Sequence, residues 1–153
     1  MAPVSLPSLA LAKEGSDPAI VRIYTGWRDG ASFKRIAEYF DGKEHTGREV
    51  VLRTHPQQRT GYYFLVHVKN PAGTLRNVQF QVQFIEHGAA AMRTHLFPAD
   101  LGAGATVFQL GLTGPEWQDA KAQPVAWYVQ VLAEDGRVLV SEKSYLWEKP
   151  AAK

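Results

Sequence analysis

The predicted strand at residues 76–85 constrains the fold of this chain most, because polar and apolar side chains alternate without a fault from Asn77 to Phe84. Successive side chains of a strand point to opposite faces, so this alternation predicts a β-strand with one buried and one polar face. The predicted buried face holds Val78, Phe80, Val82 and Phe84, and the polar face holds Asn77, Gln79, Gln81 and Gln83.

A β-hairpin is predicted within residues 123–147, where two runs rich in Val, Tyr and Trp flank Asp135-Gly136. An Asp-Gly pair tolerates positive φ angles, which predicts a type I′ turn between the two arms. A β-bulge near residues 141–143 is expected to change which side chains of the second arm face inward. The predicted inward residues are Val125, Trp127, Val129 and Val131 in the first arm, and Val138, Val140, Tyr145 and Trp147 in the second.

Eight short strands separated by turn signals predict an all-β protein. We expect an antiparallel β-sandwich of immunoglobulin-like type, with a β-barrel as the alternative. The strands before the hairpin are predicted at residues 19–25, 48–54, 61–69, 76–85, 91–97 and 106–112.

One short helix is predicted at residues 33–40. Its apolar residues recur at i, i+3, i+4 and i+7, Ser32 stands at the N-cap position, and Gly42 can end the helix. The predicted apolar stripe consists of Phe33, Ile36, Ala37 and Phe40.

The third and fourth strands are expected to pair around a five-residue loop, residues 71–75. In that register the apolar residues of both strands lie opposite each other. On the other face, this register places Tyr63 and His67 beside the glutamines. The apolar stripe of the helix is expected to cover part of that face. The predicted apolar pairs are Tyr62 with Phe84, Phe64 with Val82, Val66 with Phe80 and Val68 with Val78; on the other face Tyr63, Leu65 and His67 lie beside Gln83, Gln81 and Gln79.

The length of 153 residues predicts one domain, residues 19–148, between a flexible segment at 1–18 and a disordered tail at 149–153. The 17 basic and 15 acidic residues are scattered, which argues against nucleic acid as a partner. No apolar run is long enough to predict a transmembrane helix. Ala10-Leu11-Ala12 has the A-x-A form of a signal-peptidase site, either as the remnant of an export signal or by chance composition. We therefore expect an extracytoplasmic location, periplasmic or secreted.

Catalytic motifs are missing from the sequence, including nucleophile elbows, zinc-protease helices and phosphate-binding loops. No metal or cofactor is expected, because the histidines lack ligand spacing and cysteine is absent. In the predicted register His67 lies about 26 Å from the position opposite His87, too far for the two to share an ion. The chain is therefore predicted not to be an enzyme.

The uncharged polar row of the fourth strand is the most informative surface in the sequence. Amide side chains beside an aromatic ring and an imidazole supply donors and acceptors next to an apolar platform. Two hypotheses follow: a non-catalytic interaction module that binds a protein partner or itself through a sheet face or edge, or a carbohydrate-binding module that uses exposed aromatics. The candidate binding residues are Tyr63, His67, Gln79, Gln81, Gln83, Trp27 and Trp117; a sheet face partly covered by the helix, and tryptophans packed over the core, are the structural alternatives.

Overall fold

The computed structural model of the protein describes residues 17–86, 91–117 and 119–148. Two four-stranded sheets pack face to face, and they do not join into a closed barrel. The predicted β-sandwich is confirmed. The first sheet has the strand order β1-β3-β6-β2 and the second β5-β4-β7-β8, where the strands are β1 (Ala19–Arg28), β2 (Val50–Arg53), β3 (Gly61–Asn70), β4 (Leu75–Glu86), β5 (Met92–Leu101), β6 (Gly104–Thr113), β7 (Pro124–Leu132) and β8 (Val138–Lys143).

The core lies between the two sheets and consists of the side chains of both sheets that face inward. Phe80 of the second sheet meets Phe108 of the first, with ring centroids 4.6 Å apart. Both rings are fully buried. Period-two alternation therefore correctly predicts the inward face of β4, because side chains on one face of a sheet share one environment. Neighbouring strands are antiparallel except for the pair β2 and β6, which is parallel.

The predicted pairing of β3 with β4 is wrong, because the two strands belong to different sheets. β3 lies between β1 and β6, whereas β4 lies between β5 and β7. Asn70 is fully buried where the chain crosses over, and its amide donates to the carbonyls of Leu101 and Gly102 at 3.3 and 3.1 Å. The register of β4 also shifts near Asn77, whose φ is 60°. The apolar faces of β3 and β4 therefore meet across the core.

The predicted short helix is confirmed, but it begins later than expected. The α-helix, α1, spans Ile36–Asp41 and ends at Gly42, and a separate 3-10 helix spans Gly30–Phe33. Arg35, not Ser32, occupies the N-cap position of α1. The expected apolar stripe is split: Phe33 is buried, whereas Ile36 and Phe40 are 77% and 85% exposed. The helix itself is therefore not the cover of the sheet.

The predicted hairpin is confirmed as β7 and β8, but its turn is not type I′. The amide of Gly136 donates to the carbonyl of Ala133 at 2.8 Å, which closes a four-residue turn. Gly136 alone has a positive φ, 90°, whereas a type I′ turn needs positive φ at both central residues. The last residue of the turn is therefore a glycine with positive φ, and the register of the hairpin shifts beside the turn, between Val131 and Leu132.

The predicted bulge near residues 141–143 is wrong, since Val140, Ser141, Glu142 and Lys143 pair in regular register with β7. A 3-10 helix, Tyr145–Glu148, follows the strand. Tyr145 is exposed, and Trp147 packs on Tyr128 with ring centroids 5.5 Å apart. Val125 is also largely exposed, because the register of β7 shifts near its start. Val138 is 47% exposed and faces outward, because the register of the hairpin shifts beside it. These four residues are not in the core.

No helix in the described ranges is long and apolar enough to cross a bilayer. The predicted export motif at residues 10–12, His87 and the predicted tail at 149–153 lie outside the described residues.

Candidate functional site

The structure separates the candidate residues that the predicted pairing of β3 and β4 had brought together. Gln79, Gln81 and Gln83 point outward from the second sheet. Tyr63 and His67 lie on the outer face of the first sheet, on the opposite side of the sandwich. The glutamines and the two ring-bearing residues therefore cannot form a single site.

The outer face of the second sheet is called the amide face, and its centre is a pair of glutamines. Gln81 in β4 lies directly opposite Gln130 in β7, and its Nε2 donates to the Gln130 Oε1 at 3.2 Å. Leu96, the partner of Gln81 on the other side, is 52% exposed. The outward rows are Pro98, Gln79, Leu132 and Val138; then Leu96, Gln81, Gln130 and Ser141; then Thr94, Gln83, Tyr128 and Lys143.

The three rows of the amide face carry almost no charge, and the exposed pair of Arg76 and Asp100 lies beyond them, at the ends of β4 and β5. Lys143 is the one ionised side chain in these three rows, and it lies at the end of the last row. Its Nζ is 5.7 Å from the centre of the Tyr128 ring. Amide groups interspersed with half-exposed aliphatic side chains can hydrogen-bond and bury apolar area in the same contact, which is the chemistry of a protein interface.

The outer face of the first sheet differs, because residues 29–49 lie over part of it. These residues are called the cover segment. Phe33 of the cover segment packs on Tyr63, with ring centroids 4.8 Å apart. Tyr63 is fully buried beneath it, and burial raises the pKa of its hydroxyl. Its Oη donates to the carbonyl of Arg59 at 2.6 Å. Tyr63 is therefore not an exposed platform.

Four charged residues tie the cover segment to the first sheet. Arg53 of β2 donates from Nη1 and Nη2 to Glu44, and from Nε to the Tyr63 Oη at 2.6 Å. Arg59 pairs in the same two-pronged way with Glu38, at 2.9 Å. The hydrogen bonds from Arg53 hold the pKa of the Glu44 carboxyl below its usual value of 4.5.

Sequence reasoning missed this cluster. Arg53 shares an outward face with Val51 in a short strand whose other residues are apolar, and this pattern was the available signal. The carboxylates come from residues 9 and 21 positions away in the chain, as the pairs Arg53 with Glu44 and Arg59 with Glu38 show. Contacts over such distances depend on the path of the cover segment, which periodicity does not describe.

The remaining candidate residues have packing partners. Trp117 is 5% exposed and stacks on Tyr62, with centroids 4.7 Å apart. Trp27 lies half-buried against the core. His67 is half-buried on the outer face of the first sheet and contacts the Tyr24 ring edge-on at 5.6 Å. The two tryptophans therefore pack over the core instead of presenting a flat face to solvent.

Two clefts flank the cover segment on the outer face of the first sheet. The first, of about 350 Å³, has Arg28, Arg35 and Gln109 in its walls. The second, of about 480 Å³, has Arg48 and His67 in its walls. Glu49 lines both, and it accepts a hydrogen bond from Gln109. The clefts are neighbours: Leu65 and Gln109 line the first, and the next outward residues of the same strands, His67 and Val107, line the second.

A separate group of charged residues lies at the edge of the second sheet. Arg93 contacts both Glu86 and Glu116, and His95 Nε2 lies 2.9 Å from Glu116 Oε1. Burial lowers the pKa of His95, and Glu116 opposes this shift. No group of three histidine or acidic side chains within residues 17–86, 91–117 and 119–148 could hold a metal ion.

No protein-family model matches the sequence, and comparison with curated proteins finds no match.

Proposed function

We propose that this protein is a non-catalytic interaction module that associates through its amide face. The partner is a protein that presents a similarly flat, uncharged surface, and a second copy of the chain is the simplest such partner. The immunoglobulin-like connectivity and the extracytoplasmic location predicted from the sequence remain part of this proposal.

The observation that carries the proposal is the near absence of charge on a sheet face with half-exposed aliphatic residues. Leu96 and Val138 are 52% and 47% exposed, on either side of the glutamines. Two copies of such a face can meet without like-charge repulsion, and the glutamines can exchange hydrogen bonds across the contact.

The size of the face limits the strength of the contact. Four strands spaced about 4.8 Å apart, over rows that span about 20 Å, give a flat area of roughly 400 Å² per partner. Stable complexes bury about 800 Å² per partner. We therefore expect micromolar association, with exchange between free and bound forms.

The carbohydrate-binding alternative loses the residues that suggested it. It required Tyr63, Trp27 or Trp117 as flat stacking platforms, but Tyr63 and Trp117 are buried and Trp27 packs on the core. The alternative receives no support from another observation in the described residues.

Sedimentation velocity over a range of protein concentrations tests the proposal. The wild-type protein should show concentration-dependent association, and the double variant Gln81→Lys/Leu96→Lys should remain monomeric with a similar melting temperature. Phe40→Lys is the matched control, because Phe40 is 85% exposed on α1, which belongs to neither sheet. If Phe40→Lys abolished association and the double variant did not, the interface would lie on α1. A wild-type protein that stays monomeric at millimolar concentration would exclude self-association.

A further inference from the structure

We infer that the outer face of the first sheet is a second binding surface, which takes an extended acidic peptide segment of a partner protein. The surface is the pair of clefts that share Glu49, called here the cationic groove. Its charged residues other than histidine are Arg22, Arg28, Arg35, Arg48, Lys69 and Glu49.

The distribution of charge is the first argument for this groove. Five cationic side chains and one carboxylate line it, so its formal charge with neutral histidines is +4, whereas the whole chain carries +2. The remaining charges of the protein therefore sum to a net negative value. Positive charge concentrated in a concave surface raises the local concentration of acidic ligands.

The pairing of the arginines is the second argument. In the described part of the chain, each of the five arginines outside the groove has a carboxylate within 4.0 Å. None of the four inside it forms an ion pair with a described residue. Arg28 bonds to Gln109 at 2.6 Å and to Ser32, Arg35 to the carbonyl of Thr46, and Arg22 to the hydroxyl of Tyr24. These guanidinium groups retain donors for an external carboxylate, which they match in a two-pronged geometry.

The shape of the groove fits an extended chain. The guanidinium of Arg28 bonds to Gln109, which lies level with Leu65 of β3, and Lys69 lies four residues further along that strand. At about 3.3 Å per residue this spans about 13 Å, the length of an extended peptide of four residues. In such a peptide alternate side chains point to opposite sides, so acidic residues can meet the arginines while apolar ones rest on Leu65 and Val107.

The carboxylate within the groove favours a peptide over a uniformly charged polysaccharide. Glu49 lines both clefts, so a polymer with a negative charge on every unit would have to place one beside it. A peptide can place a neutral residue there. Phe33, the aromatic ring in the first cleft, is buried and covered by Arg28 at 3.7 Å, so it does not present a sugar-stacking platform.

Fluorescence polarisation with a fluorescein-labelled decapeptide of alternating Glu and Val tests the inference. The wild-type protein should bind it, bind a Gln–Val peptide of the same length far less, and lose affinity as salt concentration rises. Arg35→Glu/Arg48→Glu should weaken binding of the acidic peptide at least about tenfold. Neither arginine contributes to the core, and circular dichroism should show an unchanged melting temperature.

Arg76→Glu/Lys121→Glu is the matched control, because it changes the net charge equally, and both residues are exposed and line neither cleft. Equal weakening by this control would show non-specific attraction and overturn the inference, as would failure of the wild-type protein to bind the acidic peptide. Tighter binding of a sulfated oligosaccharide in the same groove would overturn the peptide assignment. Sedimentation of Arg35→Glu/Arg48→Glu should match that of the wild-type protein, so failure of this inference and failure of the proposed function are distinguishable.

Discussion

Arg53 and Glu44 form a two-pronged ion pair on the outer face of the first sheet, with nitrogen–oxygen distances of 2.8 and 2.7 Å. Their side chains are 6% and 20% exposed. The pair joins β2 to the cover segment, which forms one wall of the cationic groove. The shape of that groove therefore depends on a contact within the protein, between groups that a ligand does not need to touch.

Replacing Arg53 by an uncharged residue should lower the free energy of unfolding. In Arg53→Gln the Glu44 carboxylate stays largely buried and loses two hydrogen bonds, so the free energy of unfolding should fall by about 3 kcal/mol. Arg76→Gln is the control, because Arg76 is 75% exposed beside Asp100, and its loss should change the free energy of unfolding by less than about 0.5 kcal/mol. Urea unfolding at pH 7 measures both. Equal effects would contradict a structural role for the Arg53 pair.

Phe33, which precedes α1, and Phe40, which lies near its end, should respond differently to truncation. Phe33 is buried on Tyr63, so Phe33→Ala should lower the free energy of unfolding by about 3 kcal/mol. Phe40 is exposed, so Phe40→Ala should change it by less than about 0.5 kcal/mol. Thermal unfolding followed by circular dichroism distinguishes the two. A large loss in Phe40→Ala would show that α1 packs against the sheet as the sequence pattern predicts.

Two glycines flank Tyr63 in the neighbouring strands, Gly26 in β1 and Gly111 in β6. A Cβ at position 111 would lie 2.5 Å from the Tyr63 ring, whereas a Cβ at position 26 would meet nothing within 4 Å. Gly111→Ala should therefore displace the ring and lower the free energy of unfolding by about 2 kcal/mol. Gly26→Ala should leave it unchanged or raise it by about 0.5 kcal/mol. Chemical denaturation of both variants tests this difference; a reversed order would contradict the packing at Tyr63.

Stability should fall on mild acidification because of His95. Burial lowers its pKa below the ordinary 6.5, so the folded state favours the neutral ring. Its stabilising contribution is complete above pH 6.5 and is lost as pH falls through the lowered value, since the unfolded state then binds more protons. Between pH 7.5 and 5 the wild-type protein should lose more unfolding free energy than His95→Gln. Glu44 contributes little in this interval, because its effect begins below about pH 4.5. Identical losses in both proteins would contradict the prediction.

Strand positions could be predicted well from local sequence, and strand partners could not. Alternation in β4 identifies Val78, Phe80, Val82 and Phe84 as inward, and all four are buried. The same alternation is satisfied whether β3 lies beside β4 in one sheet or opposite β4 across the core, because both arrangements place apolar faces together. The short connection between the two strands allows a hairpin or a crossover, so only the crossover around Asn70 decides the pairing.

The amide side of β4 was predictable for the same reason, but the surroundings of the candidate residues were not. Gln81 faces outward as expected, yet its neighbours are Gln130 and Leu96, not Tyr63 or Leu65. The alternation of side chains along β3 places Tyr63 on the outer face of its sheet, and the cover segment buries it there. Alternation gives the direction of a side chain relative to its own sheet, whereas burial depends on which other segments lie over that sheet.

The sequence by itself determined that this is a two-layer β-protein and which side of its clearest strand faces the core, since period two is a property of the extended backbone. Only the tertiary structure decided which strands are neighbours, that Arg53 meets Glu44, and that the arginines without a carboxylate partner among the described residues gather on one face. Those contacts join residues distant in the chain, and their energies depend on distances that local alternation leaves open.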